Sequence, residues 1–210
     1  MALTPPAYGW SSVDLGPDLG MSSVRSEGGI VVTSRRGDPF VTGKLTTRAL
    51  KPDQFADMQA FVVDACDRNE RIDVVNPRYR LPRAYTDATW PLITDPAISA
   101  ITDLYHLSLS GLQTGMTLKR GDRLCIVQEN VGGGESVAYR WLAADVTVTS
   151  AIAQAVQITP RLPMGIFAVA ATVKFKNPFA RLAIVPGTIE AVITDDYLTS
   201  ITFEVSEALR

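Results

Sequence analysis

Between residues 52 and 68, apolar side chains recur at helical spacing. Phe55, Met58, Val62 and Ala65 form one stripe, Phe61 and Cys66 widen it, and Asp57, Asp64, Asp67 and Arg68 fall outside it. This pattern predicts an amphipathic helix. Pro52 suits the first helical position, where its missing N–H costs nothing, and Asp53 sits near the positive end of the helix dipole. The rest of the chain reads as strands. Ile30, Val31, Val32 and Thr33 lie between Gly28-Gly29 and the turn Arg35-Arg36-Gly37-Asp38, and residues 40–48 read as the returning strand. Residues 71–75 follow the helix and stop at Asn76-Pro77. Further strands are predicted at 100–109, 124–129, 138–148, 155–159, 169–175, 182–185, 189–193 and 201–205, separated by Gly, Pro and Asn signals. The last of these alternates cleanly. Ile201, Phe203 and Val205 take one face, and Thr202, Glu204 and Ser206 take the other, so one face is buried and one is wet.

Residues 1–29, rich in Pro, Gly and Ser, predict an irregular arm with at most a short strand. Residues 78–96 carry Pro82, Pro91 and Pro96 and predict a long connecting loop. The expected fold class is therefore mainly β with one amphipathic α-helix. A belt-type β-sandwich or barrel module is built from residues 30–106 and 177–210, and a small β-barrel of residues 107–176 is inserted into it. Pro91 and Asn177-Pro178 mark the expected borders.

Composition narrows the function. The 210 residues hold 20 Lys and Arg against 22 Asp and Glu, a net charge of −2, which disfavours a protein that works by a positive field on phosphates. The length allows a core without metal or disulfide staples. With two cysteines, Cys66 and Cys125, and a single histidine, a four-ligand zinc set is not expected, and both cysteines are expected to be buried thiols. The first residues lack a positive n-region followed by an apolar run, so no secretory signal is expected. The longest strongly apolar stretch without charge, residues 162–173, is broken by Pro163 and Gly165 and falls well short of the ~20 residues that span a bilayer. Synthesis in a cytoplasm and no membrane partner are the expectations.

Candidate chemistry is sparse. His106 is the only possible imidazole base, and the chain has no G-x-S-x-G elbow to supply a nucleophile. Asp145, Asp195 and Asp196 could be imagined as glycosidase carboxylates. Adjacent residues on a strand point to opposite faces, however, so Asp195 and Asp196 fit a turn better. Gly132-Gly133-Gly134 lacks the G-K-[ST] continuation of a phosphate loop and reads as a hairpin tip. The densest basic run, Arg68, Arg71, Arg78, Arg80 and Arg83, interleaves with Tyr79, Tyr85 and Trp90. Asp64, Asp67, Glu70, Asp73 and Asp87 cancel much of its field. Arg, Tyr and Trp are enriched in protein interfaces, so Arg78, Tyr79, Arg80, Tyr85 and Trp90 are the candidate interface residues. No catalytic, cofactor-binding or metal-binding residue is expected, and the chain is read as a non-enzyme.

The order of elements from Gln54 onward resembles the distal tail proteins of long, non-contractile phage tails. The matching stretches are Gln54-Phe55-Ala56-Asp57-Met58-Gln59-Ala60-Phe61 running into Ile72-Asp73-Val74-Val75-Asn76-Pro77, then Gly111-Leu112-Gln113-Thr114-Gly115 and Leu118-Lys119-Arg120-Gly121-Asp122. Asp145-Val146-Thr147-Val148, Val156-Gln157-Ile158-Thr159-Pro160-Arg161-Leu162 and Ser200-Ile201-Thr202-Phe203-Glu204-Val205 complete the series. The resemblance implies a structural virion protein at the distal end of the tail. Copies of the chain, usually six, would form a ring that joins the tail tube protein to the hub and other tail-tip proteins. DNA would pass through the lumen without specific binding. No cofactor is implied. The carbohydrate-binding-like C-terminal domain of larger family members is not expected in this chain. Each permanent contact in such a ring should bury on the order of 2,000 Å². The alternatives are another tail component (a tube, terminator or connector subunit), a carbohydrate-binding β module using Trp90, Tyr139 and Trp141 as a stacking platform, and a hydrolase using His106.

Overall fold

The computed structural model describes residues 2–25, 31–35, 37–91, 94–195 and 197–209. The chain is mainly β with one α-helix among these residues, and it includes a closed six-stranded barrel, as the hydrophobic pattern predicted. In chain order the first strands are β1 (Ala2–Leu3), β2 (Trp10–Asp18), β3 (Met21–Arg25), β4 (Val31–Arg35) and β5 (Phe40–Thr47). The helix α1 (Pro52–Asp67) leads to β6 (Arg71–Val75) and a short 3-10 turn at Pro77–Tyr79. Next come β7 (Ala97–Ile101), β8 (His106–Ser110), β9 (Thr117–Leu118), β10 (Arg123–Glu129), β11 (Glu135–Leu142), β12 (Val146–Thr147), β13 (Gln154–Thr159) and β14 (Thr172–Lys174). The chain closes with β15 (Phe179–Ile184), β16 (Glu190–Asp195) and β17 (Leu198–Glu207).

One sheet runs β1-β6-β15-β17-β5-β2, with β16 paired to β17 alone. Its register places Leu45 opposite Phe203 and Lys44 opposite Glu204, so the apolar set shares one face. That face meets the helix. Met58, Val62 and Ala65 are buried there with Leu45, Ile72, Leu182, Ile201, Phe203 and Val205. The helix starts where Gln54 Oε1 accepts from the Lys51 N–H at 3.1 Å. It stops at Asn69, whose φ of 49° leaves the helical region.

The barrel is the circuit β10-β11-β13-β8-β7-β14. Leu107, Leu109, Leu124, Ile126, Ala138, Ile158 and Val173 fill it. It interrupts the sheet between β6 and β15, both of which pair in the sheet on either side of it.

Four local expectations need correction. The stretch expected as an irregular arm contributes β1 and the nine-residue β2, because β2 lies along β5 from Trp10 to Asp18. The single strand expected over 100–109 is a hairpin of β7 and β8. Asp103 Oδ1 accepts from the Tyr105 and His106 N–H groups at 2.7 and 2.9 Å and turns the chain. The barrel consequently takes its first strand from residues ahead of position 107. The strand expected over 138–148 spans 135–142, and the chain then breaks before β12. Residues 26–30, including Gly28, Gly29 and Ile30, and Asp196 lie outside the described residues.

Candidate functional site

The segment joining sheet to barrel is seated residue by residue. Asn76 Nδ2 donates to the Val13 carbonyl at 2.9 Å and its Oδ1 accepts from the Arg78 N–H at 3.0 Å. Tyr79 then lies against Arg123, whose guanidinium carbon is 4.5 Å from the Tyr79 ring centre and 4.6 Å from that of Trp141. Arg80 Nε donates to Asn177 Oδ1 at 3.1 Å, while Asn177 N–H donates to the Arg80 carbonyl at 2.6 Å. This pins the segment entering the barrel to the segment leaving it. Arg83 donates from its backbone and its Nε to Asp122 Oδ1, both at 3.1 Å, and also reaches the Arg120 carbonyl. Tyr85 Oη accepts from the Thr117 N–H at 2.8 Å and stacks edge-on against Trp90 with ring centres 5.5 Å apart.

Of the five predicted interface residues, Tyr79, Arg80, Tyr85 and Trp90 thus make contacts within the chain. Arg78 is exposed, and its side chain forms no ion pair among the described residues. Tyr139 and Trp141 are buried at 1% and 8% exposure and pack edge-on against each other. They therefore present no stacking face to solvent beside Trp90.

The barrel and the sheet are held together along β11. Arg140 and Glu207 form an ion pair at 2.8 Å with both side chains fully buried. Glu207 does more than pair. Its Oε1 also accepts from the Tyr139 N–H at 2.9 Å, and its Oε2 from the Val41 N–H at 3.1 Å, so one carboxylate ties β5, β11 and β17. Arg140 adds bonds to the Tyr139 and Arg161 carbonyls. Burial holds the Glu207 carboxyl above its ordinary range, and the Arg140 charge and the two backbone donors only partly oppose it. Just beyond, Leu209 packs against the barrel core. A second clasp lies nearer the start of β11. Arg181 makes a bidentate pair with Asp73 at 2.8 Å and reaches Glu135 Oε2 at 3.2 Å. The bond to Asp73 raises the Arg181 guanidinium above its usual value.

The remaining candidates are local devices. His106 Nδ1 meets Asp103 Oδ2 at 2.8 Å in an exposed turn, and this bond pulls the Asp103 carboxyl below its ordinary range. Asp145 accepts from the Arg120 N–H and from Lys119, closing the turn before β10. Gly132, Gly133 and Gly134 all take positive φ at the β10–β11 hairpin tip, which L side chains adopt rarely. Asp195 ends β16. Cys66 and Cys125 are free thiols, and complete burial pushes that of Cys125 up to about 12. No group of three or more metal-ligating side chains occurs among the described residues. No helix there is long and apolar enough to cross a membrane.

Sequence reasoning missed both clasps. The available signal was Arg140 itself, a charged residue inside the apolar run Val137-Ala138-Tyr139-Arg140-Trp141-Leu142. A strand position of that kind needs a buried counter-charge. Compared with known proteins, the chain matches no protein-family model and no curated sequence.

Proposed function

We propose that this chain is a structural subunit of a phage tail tip, a distal tail protein whose copies form a hexameric ring between the tail tube and the hub that carries the receptor-binding apparatus. The observation that carries this reading is the architecture: a helix-backed sheet with a closed barrel inserted into it and clasped against it. A unit clasped in this way suits a part that works by fitting against copies of itself. The sheet supports the same reading. Among the described residues β2 and β16 each pair on one side only, and unpaired edges readily take up strands of another chain. A closed ring needs a heterologous contact between two different surfaces, and the sheet offers two different edges. The chain does no bond chemistry in this role. Its mild acidity lets DNA pass a lumen without being held. Its partners are further copies, the tube protein and the hub, and its place is the distal end of the virion tail.

Native mass measurement and negative-stain imaging of the purified chain test the proposal, alone and mixed with a tail-tube protein. Discrete rings of about six copies are expected. Long tubes would favour a tube subunit instead, and a strict monomer under both conditions would overturn the ring.

A further inference from the structure

Two hairpins run out of the sheet, and they leave it at opposite ends. β2 and β5 pair from Ser12 with Thr46 to Asp18 with Phe40. Past that point β3 and β4 carry the hairpin on, from Met21 opposite Arg35 to Arg25 opposite Val31, as a two-stranded sheet of their own. The pairing of β17 with β5 ends at Ser206 and Thr42, so no third strand among the described residues accompanies them. At its other end β17 runs past Thr202, its last partner on that side being Thr46, and pairs with β16 from Glu190–Thr202 to Asp195–Leu198. Phe40 and Thr46 stand about 20 Å apart along the strand. The β3–β4 hairpin starts at one end of that span, and β16 lies past the other.

Each hairpin lacks what the other can supply. A lone two-stranded hairpin is marginal in water and gains stability from a third strand. β4 opens with the β-branched residues Val31, Val32 and Thr33, which favour such pairing. β16 is an unprotected edge. It pairs on one side only among the described residues, keeps a regular register from Glu190 to Ile193, and holds no Lys or Pro of the kind that blunts an edge. Its apolar side chains stand in solvent, with Val192 50% and Ile193 77% exposed, and Tyr197 at the turn is 80% exposed. The charges are complementary. Residues 186–200 carry Glu190, Asp195 and Asp196 and neither Lys nor Arg, whereas residues 19–37 carry Arg25, Arg35 and Arg36 against Glu27.

We infer that the β3–β4 hairpin of one copy adds to the free edge of β16 in a second copy of this chain, with β4 antiparallel to β16. Antiparallel addition that sets Arg35 opposite Glu190 also sets Val32 opposite Ile193. The strand period of two then gives the charged pair one face and the apolar pair the other. Main-chain bonds along the edge supply affinity, and the cross-strand pairs fix the register. Because the two hairpins leave the sheet at opposite ends, the contact is one between copies. It joins two different surfaces, the heterologous kind that a closed ring requires. The inference rests on the ring reading and names the strands on which neighbours in that ring meet. Opposite charges favour the encounter, and high salt weakens it.

The test is sedimentation velocity of the full chain at low and high salt, for the wild type, Arg35→Glu, Glu190→Arg and the double Arg35→Glu/Glu190→Arg. Circular dichroism checks that each variant folds. The expected result is an assembly that weakens with salt, loses affinity by roughly tenfold or more in each single variant, and recovers in the charge-swapped double. A second variant, Arg35→Cys/Glu190→Cys, reads the contact directly on a non-reducing gel after mild oxidation, with the wild type as control for Cys66 and Cys125. A ladder of covalently joined copies is expected. Monomers joined only internally would show the hairpin folding back on its own sheet and overturn the inference. A ring that persists unchanged in the charge variants and forms no ladder overturns the strand contact and leaves the ring standing. A chain that is monomeric throughout overturns both.

Discussion

The Arg140 guanidinium and the Glu207 carboxylate meet at 2.8 Å, wholly buried, although one belongs to a barrel strand and the other to the last strand of the sheet. Their position explains where the Tyr139 N–H goes on the side of β11 that faces away from β10. β11 pairs with β13 only at Trp141 and Leu142, and the Tyr139 N–H bonds Glu207 instead of a neighbouring strand. The short β11–β13 pairing of the barrel is thus backed by the last strand of the sheet.

Truncating one partner of this pair should be far worse than replacing both. Glu207→Ala leaves a buried cation and strips the Tyr139 and Val41 N–H groups of their acceptor, a loss of about 3–5 kcal/mol. For a chain of this length that lowers Tm by roughly 10 °C. The double variant Arg140→Met/Glu207→Leu should recover a large part of this, because well-packed apolar groups replace a buried ion pair at little cost. Denaturant titration of the two singles and the double measures the coupling. Additive losses would show that the pair is not a unit.

What could be read from the sequence was whatever local periodicity controls. The stripe through Met58, Val62 and Ala65 and the alternation through Ile201, Phe203 and Val205 both lie on the buried face as expected. β2 escaped because its sequence, with Gly16 and Pro17, lacks strand propensity. It holds as an edge strand, where proline is tolerated, through its long pairing with β5. The Arg140–Glu207 clasp joins residues 67 positions apart, and nothing near Glu207 in the chain marks it as buried. The predicted interface residues Tyr79, Tyr85 and Trp90 illustrate another limit. Arg and aromatic side chains gather in interfaces, and they also pack within a chain, as Tyr79 does on Arg123 and Tyr85 and Trp90 do on the barrel core.

Gly43 is a point of close approach between β2 and β5. A Cβ built there would stand 1.9 Å from the Asp14 carbonyl oxygen, a backbone atom that cannot swing aside. Gly43→Ala should therefore cost about 3 kcal/mol or more and loosen β2. Gly16→Ala, on the facing strand with nothing within 4 Å of its Cβ, is the matched control and should leave stability unchanged. Amide exchange across residues 11–18 reports the difference. Equal protection in the two variants would contradict the close approach.

Asp103 makes the turn between β7 and β8 sensitive to acid. The His106 ring and the Tyr105 N–H favour its ionised form, so its folded pKa lies below its unfolded value. The stability it contributes is present above the unfolded value and is lost as pH falls through the depressed folded one. Carbon-detected NMR titration should find the Asp103 carboxyl titrating below an ordinary aspartate, and His106→Ala should move it back up. An unchanged midpoint in that variant would remove His106 as the principal cause.

Arg123 should govern how firmly the connecting segment sits. Its guanidinium lies between Tyr79 and Trp141, and its Nη1 donates to the Gly121 carbonyl at 2.7 Å. Burial lowers its pKa from the free value, but it remains a cation at any working pH. A half-desolvated cation over two rings is worth roughly 1–2 kcal/mol. Arg123→Ala should lose about that much and hasten proteolytic cleavage within residues 80–90. Arg123→Lys should be intermediate, because an ammonium keeps the charge and loses the flat stacking surface. The site of first cleavage is the discriminating measurement. A cut in the connecting segment follows from loss of the stack, whereas a first cut inside the barrel would show that Arg123 holds β10 rather than the connector.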